Sequence, residues 1–111
     1  GASLEPGCLV VPMNIETMLA REDVHQLVHA FTLLEGEREV EEFLVDLLTP
    51  REFCDFAQRL HVARCLDEGE SYLEVQAQTG ASSTTVSRVS KALNGEYGGY
   101  RRVLIKLEDG E

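Results

Sequence analysis

The chain has no apolar run longer than a few residues, whereas a membrane-spanning helix needs about 20 in succession. It opens without the basic stretch and apolar run of a secretion signal, so a cytoplasmic location is expected. Cysteine is sparse: Cys8, Cys54 and Cys65 form an odd set with no C-x-x-C spacing. Free thiols in a reducing compartment are expected, and a structural zinc is not. The chain lacks a P-loop, a glycine-rich dinucleotide motif, a Ser-His-Asp order and paired catalytic carboxylates. No enzyme activity and no cofactor are therefore expected. Basic residues are scarce as well, with 10 Lys and Arg against 20 Asp and Glu, for a net charge of −10. That balance excludes tight binding to an acidic partner by electrostatics alone.

What is present is 111 residues, 43% hydrophobic and 27% charged, the size and composition of one globular domain. The charge is unevenly placed. From Glu35 to Asp46 six acidic residues face Arg38 alone, for −5, while Gly80 to Lys106 holds Arg88, Lys91, Arg101, Arg102 and Lys106 against Glu96, for +4. Near charges dominate a binding surface because salt screens distant ones, so a modestly basic working end can coexist with an acidic back.

The pattern is helical. Asn14 can cap a helix carrying Ile15, Met18, Leu19, Val24, Leu27, Val28, Phe31 and Leu34 at helical spacing, which predicts one long helix from about Asn14 to Leu34, broken at Gly36. A second helix has Val40, Phe43, Leu44 and Leu47 on one side and the acidic cluster on the other. Thr49-Pro50 with Glu52 predicts a capping box and a helix presenting Phe53, Phe56, Ala57, Leu60, Ala63 and Leu66 inward, ending near Gly69. Ser71 with Glu74 predicts a shorter helix to about Thr79. Tyr97-Gly98-Gly99-Tyr100 reads as a hinge or turn, and Arg102 to Leu107 as a short strand or a last helical stretch. Residues 1–12 read as a flexible N-terminal segment, 13–95 as a helical dimerisation core and 96–111 as a C-terminal extension. So much apolar face on a small domain predicts burial against a second copy.

Within that core, residues 71–93 have the layout of a helix-turn-helix. Val75 and Val86 are placed to face each other, Gly80 sits at the turn, and Ser82 or Ser83 caps the following helix. Ser83, Thr84, Thr85, Ser87, Arg88 and Lys91 then decorate that helix, while Val86, Val89 and Leu93 return to the core. Short hydroxyls allow close approach to base edges, and Thr can offer its methyl to thymine. Gln76 is off pattern, standing where a small residue usually packs. The competing reading is a plain helical hairpin with a solvated Ser/Thr face. Reachability of the Thr84, Thr85, Arg88 and Lys91 face separates the two readings, as does a twin about 34 Å away in a dimer.

With Leu47-Leu48-Thr49-Pro50, Thr79-Gly80-Ala81 and Thr85-Val86-Ser87-Arg88 at this separation, the chain resembles the tryptophan repressor superfamily from about Leu27 to Leu93. It is most similar to the branch often labelled YerC/YecD. The resemblance implies an all-α, intertwined homodimer with a helix-turn-helix projecting from each side. It also implies a possible effector pocket, in which two arginines enclose a tryptophan ring. The matching positions here are Arg59 and Arg88, with Thr49 matching a ligand-contacting threonine. Val89 stands where the family has a glycine that gives the ring room, and Ala92 where a serine helps receive the ligand's amino group. Overpacking of that kind costs about 1–3 kcal/mol, and a lost hydrogen bond to a charged ammonium roughly 1.5–3 kcal/mol, so tryptophan responsiveness is not expected. Arg59 also reads as a salt-bridge residue. Arg88 reads as a phosphate contact in preference to a ligand clamp.

Glu22, His25 and His29 share a helix face, but interface or surface histidines are expected there rather than a metal. His61 reads as partly buried or groove-lining rather than as a catalytic base. The expected function is a dimeric, sequence-specific DNA-binding transcriptional regulator, a repressor, with Arg101 and Arg102 adding phosphate contacts to double-stranded DNA. The alternative is a helical protein-interaction or structural dimer that keeps the fold without binding DNA.

Overall fold

The computed structural model describes residues 14–110, and every regular element in that range is α-helical. In chain order these are α1 (Ile15–Leu19), α2 (Glu22–Leu33), α3 (Gly36–Leu47), α4 (Pro50–Asp67), α5 (Tyr72–Thr79), α6 (Ser83–Leu93) and α7 (Gly99–Asp109). Two compact units are present, one ending at Leu44 and one beginning at Val45. The expectation for residues 1–12 falls outside the described residues.

In the first unit, Asn14 caps α1 as expected, its Oδ1 accepting from the Thr17 N–H at 2.7 Å. The single long helix does not form. The Ala20 N–H bonds back into α1, Arg21 is extended at φ −69°, ψ 139°, and α2 starts afresh at Glu22. The physical cause is a new helix start signal between Leu19 and Val24. Glu22 and Asp23 lie in the first turn of α2, at the positive end of its dipole. The Arg21 guanidinium, 2.6 Å from Asp23, holds that carboxyl below its usual range. The apolar interval from Leu19 to Val24 is five residues rather than three or four, so the apolar stripe itself shifts at Arg21. Phe31 and Phe43 meet edge to face at 5.3 Å, within the range aromatic pairs prefer. None of residues 14–44 is buried, and Leu33 stays 64% exposed.

The second unit carries the core. Thr49 and Glu52 form the expected capping box at the start of α4, and Ser71 and Glu74 form the other at the start of α5. The core consists of Val62, Ala63 and Cys65 from α4, Val75 from α5, Ala81, Val86, Val89 and Leu93 around α6, and Leu104 from α7. Leu60, Leu66 and Tyr100 pack at its edge. Val62, Val75 and Val86 are wholly buried, each contributing about 1.5–3 kcal/mol of burial. The inward face of α4 therefore differs from the predicted one. Ala63 is buried and Leu60 and Leu66 are partly so, but Phe56 is 48% exposed and Ala57 is also exposed, while Val62 and Cys65 point in. The buried residues of α4 all lie in its C-terminal half. Residues Arg102 to Leu107 are helical, which removes the strand alternative. The stretch read as a C-terminal extension supplies Leu104 to the core.

Cys54 is exposed and Cys65 buried, both as free thiols. Burial pushes the Cys65 thiol above its ordinary range, and the Glu70 and Glu68 carboxylates add to that. Its Sγ lies 3.5 Å from Gln78 Oε1.

Candidate nucleic-acid interface

The head is built from α5, its turn and α6. Gly80 ends α5 in the left-handed region at φ 75°, and its N–H bonds to the Gln76 carbonyl. An L side chain there would be strained, which is why glycine suits the position. The turn is then held by side chains. The Thr79 hydroxyl donates to the Val75 carbonyl at 2.7 Å and accepts from the Ala81 N–H at 3.2 Å. The Gln58 side-chain amide, on α4, donates to the Thr79 carbonyl at 3.2 Å. Gln76, the residue off pattern, reaches over the turn toward the Ala81 carbonyl at 3.5 Å. A long amide at that position thus bridges the turn instead of packing beneath it.

Ser82, not Ser83, caps α6; its Oγ accepts from the Thr85 N–H at 3.1 Å. Ser82 also donates to Thr85 Oγ1 at 3.1 Å, so the Thr85 hydroxyl is partly engaged and the residue is half-buried. Ser83, Thr84, Ser87, Arg88 and Lys91 remain exposed along one side of α6. Val86, Val89 and Leu93 occupy the other, at 0%, 1% and 6% exposure. This split is what a reading helix requires, because the buried row fixes the rotation that presents the polar row.

Tyr72, the first residue of α5, joins the polar row. Together with Ser83, Thr84, Ser87, Arg88 and Lys91 it lines an open trough of about 740 Å³. Sequence reading missed Tyr72 because it lies 11 positions before Ser83. The signal available was a large aromatic at the first position of a capped helix, where no core contact is demanded.

At the far end of α6, Asn94 closes the helix. Its side-chain amide donates to the Ser90 carbonyl at 2.8 Å, and its Oδ1 accepts from Arg101 at 3.3 Å. Arg101 is thereby tied to the C-terminal end of the polar row. Arg102 is exposed, and among the described residues Arg88, Lys91, Arg102 and Lys106 take part in no ion pair.

The positions matched to an effector pocket are used differently. Val89 is part of the core, and Ala92 is exposed. The Thr49 hydroxyl is engaged in its capping box, accepting from the Glu52 N–H at 3.1 Å. The half-buried Arg59 places its guanidinium 5.4 Å from the centre of the Phe56 ring, a cation–π contact. It forms no salt bridge among the described residues. His61 is exposed, which removes the partly buried alternative of the expectation, because the buried face of α4 turns through Val62, Ala63 and Cys65 beside it. Glu22, His25 and His29 are all exposed on α2, and among the described residues no cluster of His, Cys, Asp and Glu could hold a metal. No described helix is long and apolar enough to cross a membrane.

Comparison with known proteins agrees with this architecture. A family profile described as Trp repressor protein matches residues 22–108. The chain is 36% identical over 99 residues to the uncharacterized protein YerC of Bacillus subtilis, covering 89% of this chain and 94% of that one. A crystal structure of a TrpR-like protein from Eubacterium eligens superposes with a TM-score of 0.76 at 37% identity, over 82% of this chain and 94% of that one. A second solved structure, from Staphylococcus aureus, gives 0.78 at 32% identity, over 87% and 96%. On the extent of the match and on the all-α helix-turn-helix architecture, the chain belongs to the Trp repressor protein family.

Proposed function

We propose that this protein is a sequence-specific DNA-binding transcriptional regulator, a homodimer that represses by occupying its operator. The observation that carries the reading is the two-sided α6. Ser83, Thr84, Ser87, Arg88 and Lys91 lie exposed opposite a fully packed row of Val86, Val89 and Leu93. Exposed hydroxyls and cations on a helix locked in rotation suit major-groove base edges and phosphates. The −10 net charge does not oppose this, since the stretch from Gly80 to Lys106 is locally +4. Arg101 and Arg102 extend that end toward phosphates. Dimerisation is supported by the first unit, where apolar residues such as Ile15, Val28 and Leu33 stand exposed and none of the described residues is buried. Helices this short without a buried face need an outlet for it.

Selection from a random DNA library is expected to enrich a palindrome with half-sites about one helical turn apart, roughly 34 Å. No enrichment at low salt would overturn the reading in favour of an interaction dimer that does not bind DNA.

We also propose that the head works without tryptophan. Val89, at 1% exposure, already fills its surroundings with side chains from the core, and Ala92 offers no hydroxyl. Calorimetry with L-tryptophan is expected to show no heat, and the thermal midpoint is expected to stay put. Saturable heat would instead favour an effector held between Arg59 and Arg88, near Thr49.

A further inference from the structure

We infer that the trough beside α6 seats one sugar–phosphate strand of the duplex, and that Tyr72 is an uncharged contact to it, its phenol hydroxyl donating to a phosphate oxygen. The inference rests on the DNA-binding reading above and names a residue and a kind of contact that reading does not contain.

The trough has two sides. One is the polar row of α6; the other is Tyr72, 47% exposed at the first position of α5. The Tyr72 backbone is not free to move. Ser71 and Glu74 close a capping box around it, and Val75, wholly buried, fixes the rotation of α5. A helix that precedes a reading helix crosses the DNA backbone, which puts its first turn beside a phosphate strand.

The lining chemistry points to the same occupant. Four of the six side chains carry hydroxyls (Tyr72, Ser83, Thr84 and Ser87), two are cations (Arg88 and Lys91), and none is a carboxylate. In a chain with twice as many acidic as basic residues, a surface of donors without a carboxylate suits an anionic strand, and the ring gives a sugar an apolar face to rest on. Tyr is among the side chains that bind phosphate oxygens in protein–DNA contacts. A hydroxyl donor neutralises no phosphate charge and so releases no counterion. Its contribution therefore persists as salt rises, whereas that of Arg88 and Lys91 fades. A protein with few cations can gain operator affinity in this way.

The test uses the full chain and the DNA it selects, with binding measured across a salt series. Tyr72→Phe keeps the ring and the fold, and an unchanged thermal midpoint verifies that. It is expected to weaken binding about tenfold for each hydrogen bond to a charged acceptor, and up to about a hundredfold for two heads. The salt slope is expected to match the parent's, in contrast to Arg88→Ala, where it falls. Tyr72→Ala should weaken binding further by removing the ring. Parental affinity in Tyr72→Phe, or a loss accompanied by a changed salt slope, overturns the inference. Failure of the parent to select any DNA is a separate result and overturns the DNA-binding reading itself.

Discussion

Replacing Arg88 and Lys91 together with alanine is expected to weaken operator binding by about a thousandfold or more, ~4 kcal/mol. Both side chains are exposed on the polar row of α6, and neither is in an ion pair among the described residues. Nothing internal is therefore lost with them, and the fold should keep its thermal midpoint. Two heads with two cations each neutralise four phosphates and release their counterions. The slope of log affinity against log salt should then fall by about 3.6. The slope matters because a folding defect would lower affinity without changing it in this defined way. If the double variant binds DNA like its parent, α6 does not face the duplex. If it retains a protein partner while the parent never bound DNA, the interaction-dimer alternative takes over.

The second large effect is on stability. Val86→Asp is expected to abolish the cooperative unfolding transition of the head or shift it by more than about 4 kcal/mol. Val86 has no exposure, and its cluster includes Val62, Val75 and Val89, so the new carboxylate would be buried without a partner. Domains of this size have about 5–15 kcal/mol in total. The core that absorbs the loss is small, with α6 supplying Val86, Val89 and Leu93. Val86→Ala should cost less, about 2 kcal/mol, through lost burial and a partly collapsed cavity. Chemical denaturation followed by circular dichroism reads both variants. A parental midpoint in Val86→Asp would mean that α6 does not dock through this residue, and the polar row would lose its fixed orientation.

How far the molecule was legible varied with the range of the interaction concerned. The capping boxes at Thr49 and Ser71, the left-handed turn at Gly80 and the pairing of Val75 with Val86 were all readable. So was the polar row of α6, apart from the choice between Ser82 and Ser83 as its cap. Errors arose where two signals overlapped or where a neighbour came from far along the chain. The break at Arg21 is marked only by a five-residue apolar interval, Leu19 to Val24, and by the acidic pair Glu22 and Asp23. On α4, Phe56 is exposed where it was expected inward and Val62, not among the residues expected inward, is buried, because both sides of that helix carry apolar residues.

The sequence by itself determined where most helices start and stop, and that α6 has one polar and one apolar side. These depend on hydrogen bonds and spacings of about four residues or fewer, such as Ser71 with Glu74 or Ser82 with Thr85. Only the tertiary structure decided which side of α4 is buried, that α7 is a helix supplying Leu104, and that Tyr72 stands across a trough from α6. Those outcomes depend on surfaces brought together from distant positions, as Gln58 and Thr79 are across 21 residues. Several partners of similar polarity compete for each such surface, and local pattern does not rank them.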